Sequence, residues 1–149
     1  MTHAVTIQNI TDDDLDEIIQ LGLDTPELHA QDETPVYYTR NELETFIQSP
    51  HDIYLVAKID GEIAGYRLAT YHPFLKEAYL LDLVVKPKFR RMGIAKKLYE
   101  KTFEILNKKD CEWVWTLVKD SNIGMQTVIE KQGFRKGSKF YFYFKVKPF

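Results

Sequence analysis

The stretch from Val84 to Lys101, VVKPKFRRMGIAKKLYEK, constrains the fold more than any other part of the chain. An apolar run meets Pro87, crosses a cluster of Lys and Arg, passes one glycine, Gly93, and enters a segment whose apolar residues recur every three to four positions. That is the pattern of a strand, a short loop and an amphipathic helix. Such a junction gathers the N–H groups of the loop and first helical turn at one point, where the helix dipole also favours negative charge. Gly93 lets a ligand come close to the backbone. Arg90 and Arg91 can fork onto phosphate oxygens, and Lys86, Lys88, Lys96 and Lys97 add positive field. The chemistry suits a pyrophosphate, although the spacing is neither G-x-x-x-x-G-K-S/T nor G-x-G-x-x-G. Taken alone, a basic cluster also reads as a solvated loop or a nucleic-acid patch. A net charge of −2 and the lack of a helix-turn-helix or RNP-type motif argue against nucleic acid.

The flanking sequence reads as alternating helices and strands. ITDDDLDEIIQLGL predicts a helix capped by Thr11, with Leu15, Ile18 and Ile19 on its apolar face. Residues 24–38, with two prolines, predict a long loop of the kind that often binds or covers a ligand. Thr39 and Glu42 form a capping box for a second helix that stops at Ser49-Pro50. DIYLVAKI and EIAGYRLATY, joined by Asp60-Gly61, predict a hairpin, and EAYLLDLVV a central third strand. After the basic loop, Ile94, Ala95, Leu98, Thr102, Ile105 and Leu106 share one helical face. EWVWTLV then predicts a buried strand, SNIGMQTVIEKQ a helix ending at Gly133, and KFYFYFKVK a last strand. Trp113, Trp115 and the row Phe140, Phe142, Phe144 are expected in the core, with Tyr141 and Tyr143 facing the other way. The order ααβββαβαβ implies an α/β fold, a mixed sheet with helices on both faces. At 149 residues, 44% of them hydrophobic, residues 1–149 are expected to form a single domain.

LVVKPKFRRMGIAKKL resembles motif A of the GNAT acetyltransferase superfamily, V-x-P-x-F/Y-R/Q-x-x-G-I/L-G/A, at Val85, Pro87, Phe89, Arg90, Gly93, Ile94 and Ala95. SNIGMQTVIEKQGF is similar to that superfamily's following helix at Asn122, Gly133 and Phe134. The resemblance implies a GNAT-like acyl-CoA N-acyltransferase fold with a mixed, mostly antiparallel sheet. It also implies transfer of an acetyl group from acetyl-CoA to a primary amine by direct attack in a ternary complex, with no metal. By motif position, the backbone of Leu83, Val84 and Val85 would bond the pantetheine arm. Arg90, Arg91, Met92, Gly93, Ile94, Ala95 and Lys96 would cradle the pyrophosphate, and Asn122 would contact the pantetheine. The resemblance departs at Ile129, where the family usually has a Tyr that protonates the leaving thiolate, and at Met125, usually a small residue. Water, Tyr141 or Tyr143 is the expected substitute donor. A primary amine near pKa ~10 must lose a proton to react, and Asp82, Glu77 and Glu112 are the candidate bases. His29 and His72 read as ordinary surface histidines, and Cys111 as a small buried residue.

Residues 1–80 carry 4 Lys/Arg against 15 Asp/Glu, a balance of −11, and residues 81–149 carry the compensating excess of base. An anionic cofactor on the second half and a cationic acceptor facing the first half follow: a polyamine, a lysine side chain or a peptide N-terminus. The competing reading is a CoA-binding module with weak or no catalysis. No apolar run approaches the roughly 20 residues of a membrane span, and no Cys/His spacing suits zinc. A soluble, cytoplasmic monomer or homodimer that binds neither membrane nor nucleic acid is expected.

Overall fold

Val5 and Ile7 alternate with Thr6 and Gln8, a period-two pattern too short to stand out in the sequence. In the computed structural model, which describes residues 3–29 and 37–149, this segment is an edge strand, β1 (Val5–Asn9), antiparallel to β2 (Ile53–Ile59). Between them lie α1 (Leu15–Leu23) and α2 (Arg40–Phe46). Thr11 sits at the start of the turn leading into α1, where its N–H and hydroxyl both donate to Asp14 Oδ2, at 2.9 and 3.1 Å. The expected capping box opens α2: Thr39 N–H donates to Glu42 Oε2 at 2.7 Å, and Glu42 N–H donates to Thr39 Oγ1. Of the long loop at 24–38, residues 30–36 lie outside the described residues.

The hairpin forms as expected. β2 turns through Asp60 and Gly61, both at positive φ, into β3 (Glu62–His72), which pairs with β4 (Glu77–Val85). α3 (Ile94–Lys108) is the crossover to β5 (Trp113–Trp115), the one parallel neighbour, and α4 (Ile123–Lys131) follows. The sheet runs β1-β2-β3-β4-β5 and is mostly antiparallel. One face packs Leu55, Ala57, Leu80 and Leu83 against Ile94, Leu98, Tyr99 and Leu106 of α3, with Met125 and Ile129 of α4 at its margin. The other packs Val56, Tyr66, Leu68 and Val84 against Leu15 and Ile18 of α1 and Leu43 of α2. Helices thus cover both faces. No helix among the described residues is long and apolar enough to cross a membrane.

Three expectations are corrected. The chain opens with a strand, so the order is βααβββαβα. The strand expected over 112–118 pairs for three residues only, and Trp113 is 63% exposed. The last segment forms no strand: Phe140 is 84% and Phe142 62% exposed, outside the core. Alternation supplies a face, but a strand also needs an edge to pair with, and this segment lies on none.

Candidate active site

β4 is paired on both sides only at its start. Glu77, Ala78 and Tyr79 face Trp113, Val114 and Trp115, whereas residues 81–85 have no partner on the β5 side among the described residues. Thr116 Oγ1 donates to the Leu80 carbonyl at 2.9 Å, and Tyr79 stacks on Trp115 with ring centroids 4.2 Å apart, where the strands part. One wall of the resulting wedge is the backbone of Leu83, Val84 and Val85. An extended ligand carrying amides can add to such an edge as a strand would.

The wedge leads into the basic loop. Pro87–Phe89 make one 3-10 turn, Arg91 and Gly93 take left-handed conformations at φ 62° and 79°, and α3 begins at Ile94. Left-handed residues in such a loop turn neighbouring N–H groups inward, an arrangement suited to an anion. A Cβ on Gly93 would have nothing within 4 Å, so the space before it is open. Ile94, 1% exposed, anchors the helix beneath, while Arg90, Arg91, Met92 and Lys96 lie exposed and Ala95 is half-buried. Arg90 Nε donates to the Val85 carbonyl at 3.2 Å, joining cradle to strand. Arg91 and Lys97 have no ion pair among the described residues, and Lys96 approaches Glu100 only at 3.7 Å. Lys86 and Lys88 do not serve the cradle as expected: Lys86 pairs with Glu17 and Glu62, and Lys88 with Glu62. Asn122 caps α4, its Oδ1 accepting from Met125 N–H at 3.1 Å, which leaves its amide N–H groups to donate elsewhere.

On the α1/α2 face of the same strand sits Asp82. Leu80 pairs with Ala69 and Asp82 with Leu68, so Leu81 is a bulge residue. Leu81 packs on the α1/α2 face, where Asp82 also reaches. Asp82 is 6% exposed, and Tyr37 Oη donates to its Oδ2 at 2.9 Å. Tyr66 Oη lies 2.7 Å from Tyr37 Oη. Loss of water around the carboxylate pushes its pKa up to about 6, against the opposing pull of the Tyr37 hydrogen bond and the Arg67 charge. Arg67, 2% exposed, lies 4.5 Å above the Tyr99 ring with Nε and one Nη lacking an acceptor, and burial lowers its pKa. Tyr38, Glu42, Leu43, Phe46, Leu68 and Leu81 line a cleft of about 240 Å³ on this face; Leu81 precedes Asp82 in the chain and Leu68 is its partner across the strands.

Tyr37, Tyr66 and Arg67 escape the sequence reading. The one available signal is a lone basic residue inside the apolar run GYRLA. Tyr141 and Tyr143, both 87% exposed, are not brought to Asp82. Ile129 packs half-buried on the α3 face and offers no proton there. Glu112 is tied to Lys76 at 3.2 Å, Glu77 lies in the ladder opposite Trp113, His72 is exposed and His29 half-buried. Burial raises the Cys111 thiol, which suits an inert side chain.

Residues 21–134 match the Acetyltransferase (GNAT) family. A Bacillus subtilis protein named a putative ribosomal protein bS18-alanine N-acetyltransferase is 23% identical over 137 residues, covering 92% of this chain and 85% of that protein. The PaiA N-acetyltransferase of Thermoplasma acidophilum, solved with coenzyme A, superposes with a TM-score of 0.81 at 21% identity, over 92% of this chain and 93% of that one. The aminoglycoside N-acetyltransferase AAC(6')-Iy, also solved with CoA, gives 0.80 at 21% identity over 97% of each chain. The unpaired β4 edge and open cradle fit acetyl-CoA as co-substrate. With three quarters of its length inside the family match, the chain belongs to the GNAT family of acetyl-CoA-dependent N-acetyltransferases.

Proposed function

We propose that the protein acetylates a primary amine by direct attack on acetyl-CoA in a ternary complex, with Asp82 as the base. One observation carries this reading: the free edge of β4 runs into the anion cradle, and the same strand presents Asp82 on its other side at a bulge. Leu83, Val84 and Val85 bond the pantetheine amides through their backbone. The N–H groups from Arg90 through Met92, Gly93, Ile94 and Ala95 to Lys96 take the pyrophosphate, with Arg90 and Arg91 adding charge. Asn122 donates its amide to the pantetheine.

The ammonium gives its proton to Asp82, directly or through one water. The C–N bond then forms as the C–S bond breaks, and the second proton lost by the nitrogen passes, directly or through water, to the departed thiolate, giving the amide and free CoA thiol. A carboxylate at about 6 rather than 3.8 stands closer to the amine's pKa, which reduces the uphill transfer by about 3 kcal/mol. The thiolate, near pKa ~8.5, can leave without an acid. The cleft lined by Leu68 and Leu81 has Glu42 as its carboxylate and largely apolar walls. That supports one ammonium on a modest, uncharged body, such as a peptide N-terminus, over a polyamine or aminoglycoside whose several charges need several acids. The acidic first half of the chain draws the ammonium in.

The test is free-thiol release from acetyl-CoA against pooled N-terminal peptides, lysine peptides, polyamines and aminoglycosides. N-terminal peptides should lead, and Asp82→Asn should lower that rate by roughly 10² or more. Silence from every pool beside calorimetric CoA binding would favour the binding module, the reading that Ile129 supports.

A further inference from the structure

Gly22 is buried in the last turn of α1, a helical position where alanine is ordinarily preferred. A Cβ there would lie 2.3 Å from Tyr37 Cζ and 2.4 Å from both Cε atoms, all in one ring. The buried glycine is thus a notch that lets the face of the phenol ring lie against the helix. From that seat the Tyr37 hydroxyl reaches two partners at once, Asp82 Oδ2 at 2.9 Å and Tyr66 Oη at 2.7 Å. Since Tyr37 donates to the carboxylate, Tyr66 donates to Tyr37. The three groups come from the segment before α2, β3 and β4, and a fourth element, α1, supplies the space.

We propose that Tyr37, seated in the Gly22 notch and held by Tyr66, is the positioning residue that fixes the carboxylate of Asp82 for proton transfer. This rests on Asp82 being the base. The bulge at Leu81 turns Asp82 toward α1 and α2, and a hydrogen bond to its carboxylate sets which way that group faces. The charged and titratable groups around it are Tyr37 and Tyr38 before α2, Tyr66 and Arg67 on β3, Tyr79 on its own strand, and Glu42 of α2 beyond Tyr38. Of these only Tyr37 hydrogen-bonds the carboxylate among the described residues.

The experiment follows the Asp82 carboxyl by ¹³C NMR in aspartate-labelled protein, with Asp82→Asn for assignment, alongside the pH profile of thiol release with the best peptide acceptor. Tyr37→Phe should raise the midpoint above about 6, because the lost hydrogen bond favoured the charged form. It should lower kcat/KM about tenfold without changing calorimetric CoA affinity, which also reports an intact fold. Gly22→Ala, with the phenol intact but unseated, should move the midpoint the same way, and Tyr66→Phe should move it less. An unmoved carboxyl in Tyr37→Phe, or in Gly22→Ala while Tyr37→Phe shifts, would overturn the proposal. A carbon signal that shifts while the acid limb of the rate stays put would uphold the seat and remove Asp82 as the base.

Discussion

Asp82 is held where its neutral form is favoured, with a pKa of about 6 against an ordinary 3.8. The folded protein therefore binds this proton more tightly than the unfolded chain. The group's contribution to stability is fully present below about pH 3.8 and is lost as the pH rises through about 6. Asp82→Asn keeps an oxygen for Tyr37 and removes that loss. Urea unfolding should find the variant more stable at pH 8 by up to roughly 3 kcal/mol, with the advantage gone near pH ~4. A difference that ignores pH would mean that burial does not perturb this carboxyl. Arg67 offers a second case. Each N–H left without an acceptor costs about 1–3 kcal/mol, and the Tyr99 ring returns part of that. Arg67→Met should therefore unfold at higher urea, by about 1 kcal/mol or more, while the Asp82 midpoint rises because a nearby positive charge is gone. Destabilisation instead would show that the guanidinium has partners these contacts do not reveal.

At the scale of elements, the strand–loop–helix junction turns on one backbone conformation. Gly93 sits at φ 79° with open space before it, so its two substitution costs separate. Gly93→Ala adds strain of about 1–2 kcal/mol and should weaken CoA binding modestly. Gly93→Glu adds the same strain and sets a carboxylate in the anion cradle, and calorimetry should detect no CoA binding while circular dichroism stays native. Wild-type affinity in Gly93→Glu would remove the cradle from Arg90 to Lys96. The parting of β4 from β5 matters equally, since a β5 that continued alongside β4 would fill the edge proposed for the pantetheine arm.

Across the whole molecule, the aromatic tail stands apart from the core. Phe140, Tyr141, Tyr143 and Phe149 are each more than 80% exposed, and residues 139–149 hydrogen-bond to no other segment among the described residues. Ending the chain after Ser138 should shift Tm by less than about 2 °C and reduce binding of an apolar-surface dye. A large fall in Tm would mean that the tail packs on the sheet. The junction from Val84 to Lys101, both Thr-led helix starts and the hairpin were legible in the sequence, because periodicity, capping and turn chemistry act between residues a few positions apart. β1 was too short to register, and the tail misled because alternation says which faces a strand would have but not whether any edge receives it. The site divides the same way. The loop proposed to hold the pyrophosphate is one continuous segment, so its strand–loop–helix form could be read from it. The seat of Asp82 joins Gly22, Tyr37, Tyr66 and Asp82 from four elements, and a register with a bulge at Leu81 sets where the carboxylate points. Local chemistry determined what each segment forms, whereas long-range pairing across the sheet decided which distant side chains hydrogen-bond to one another.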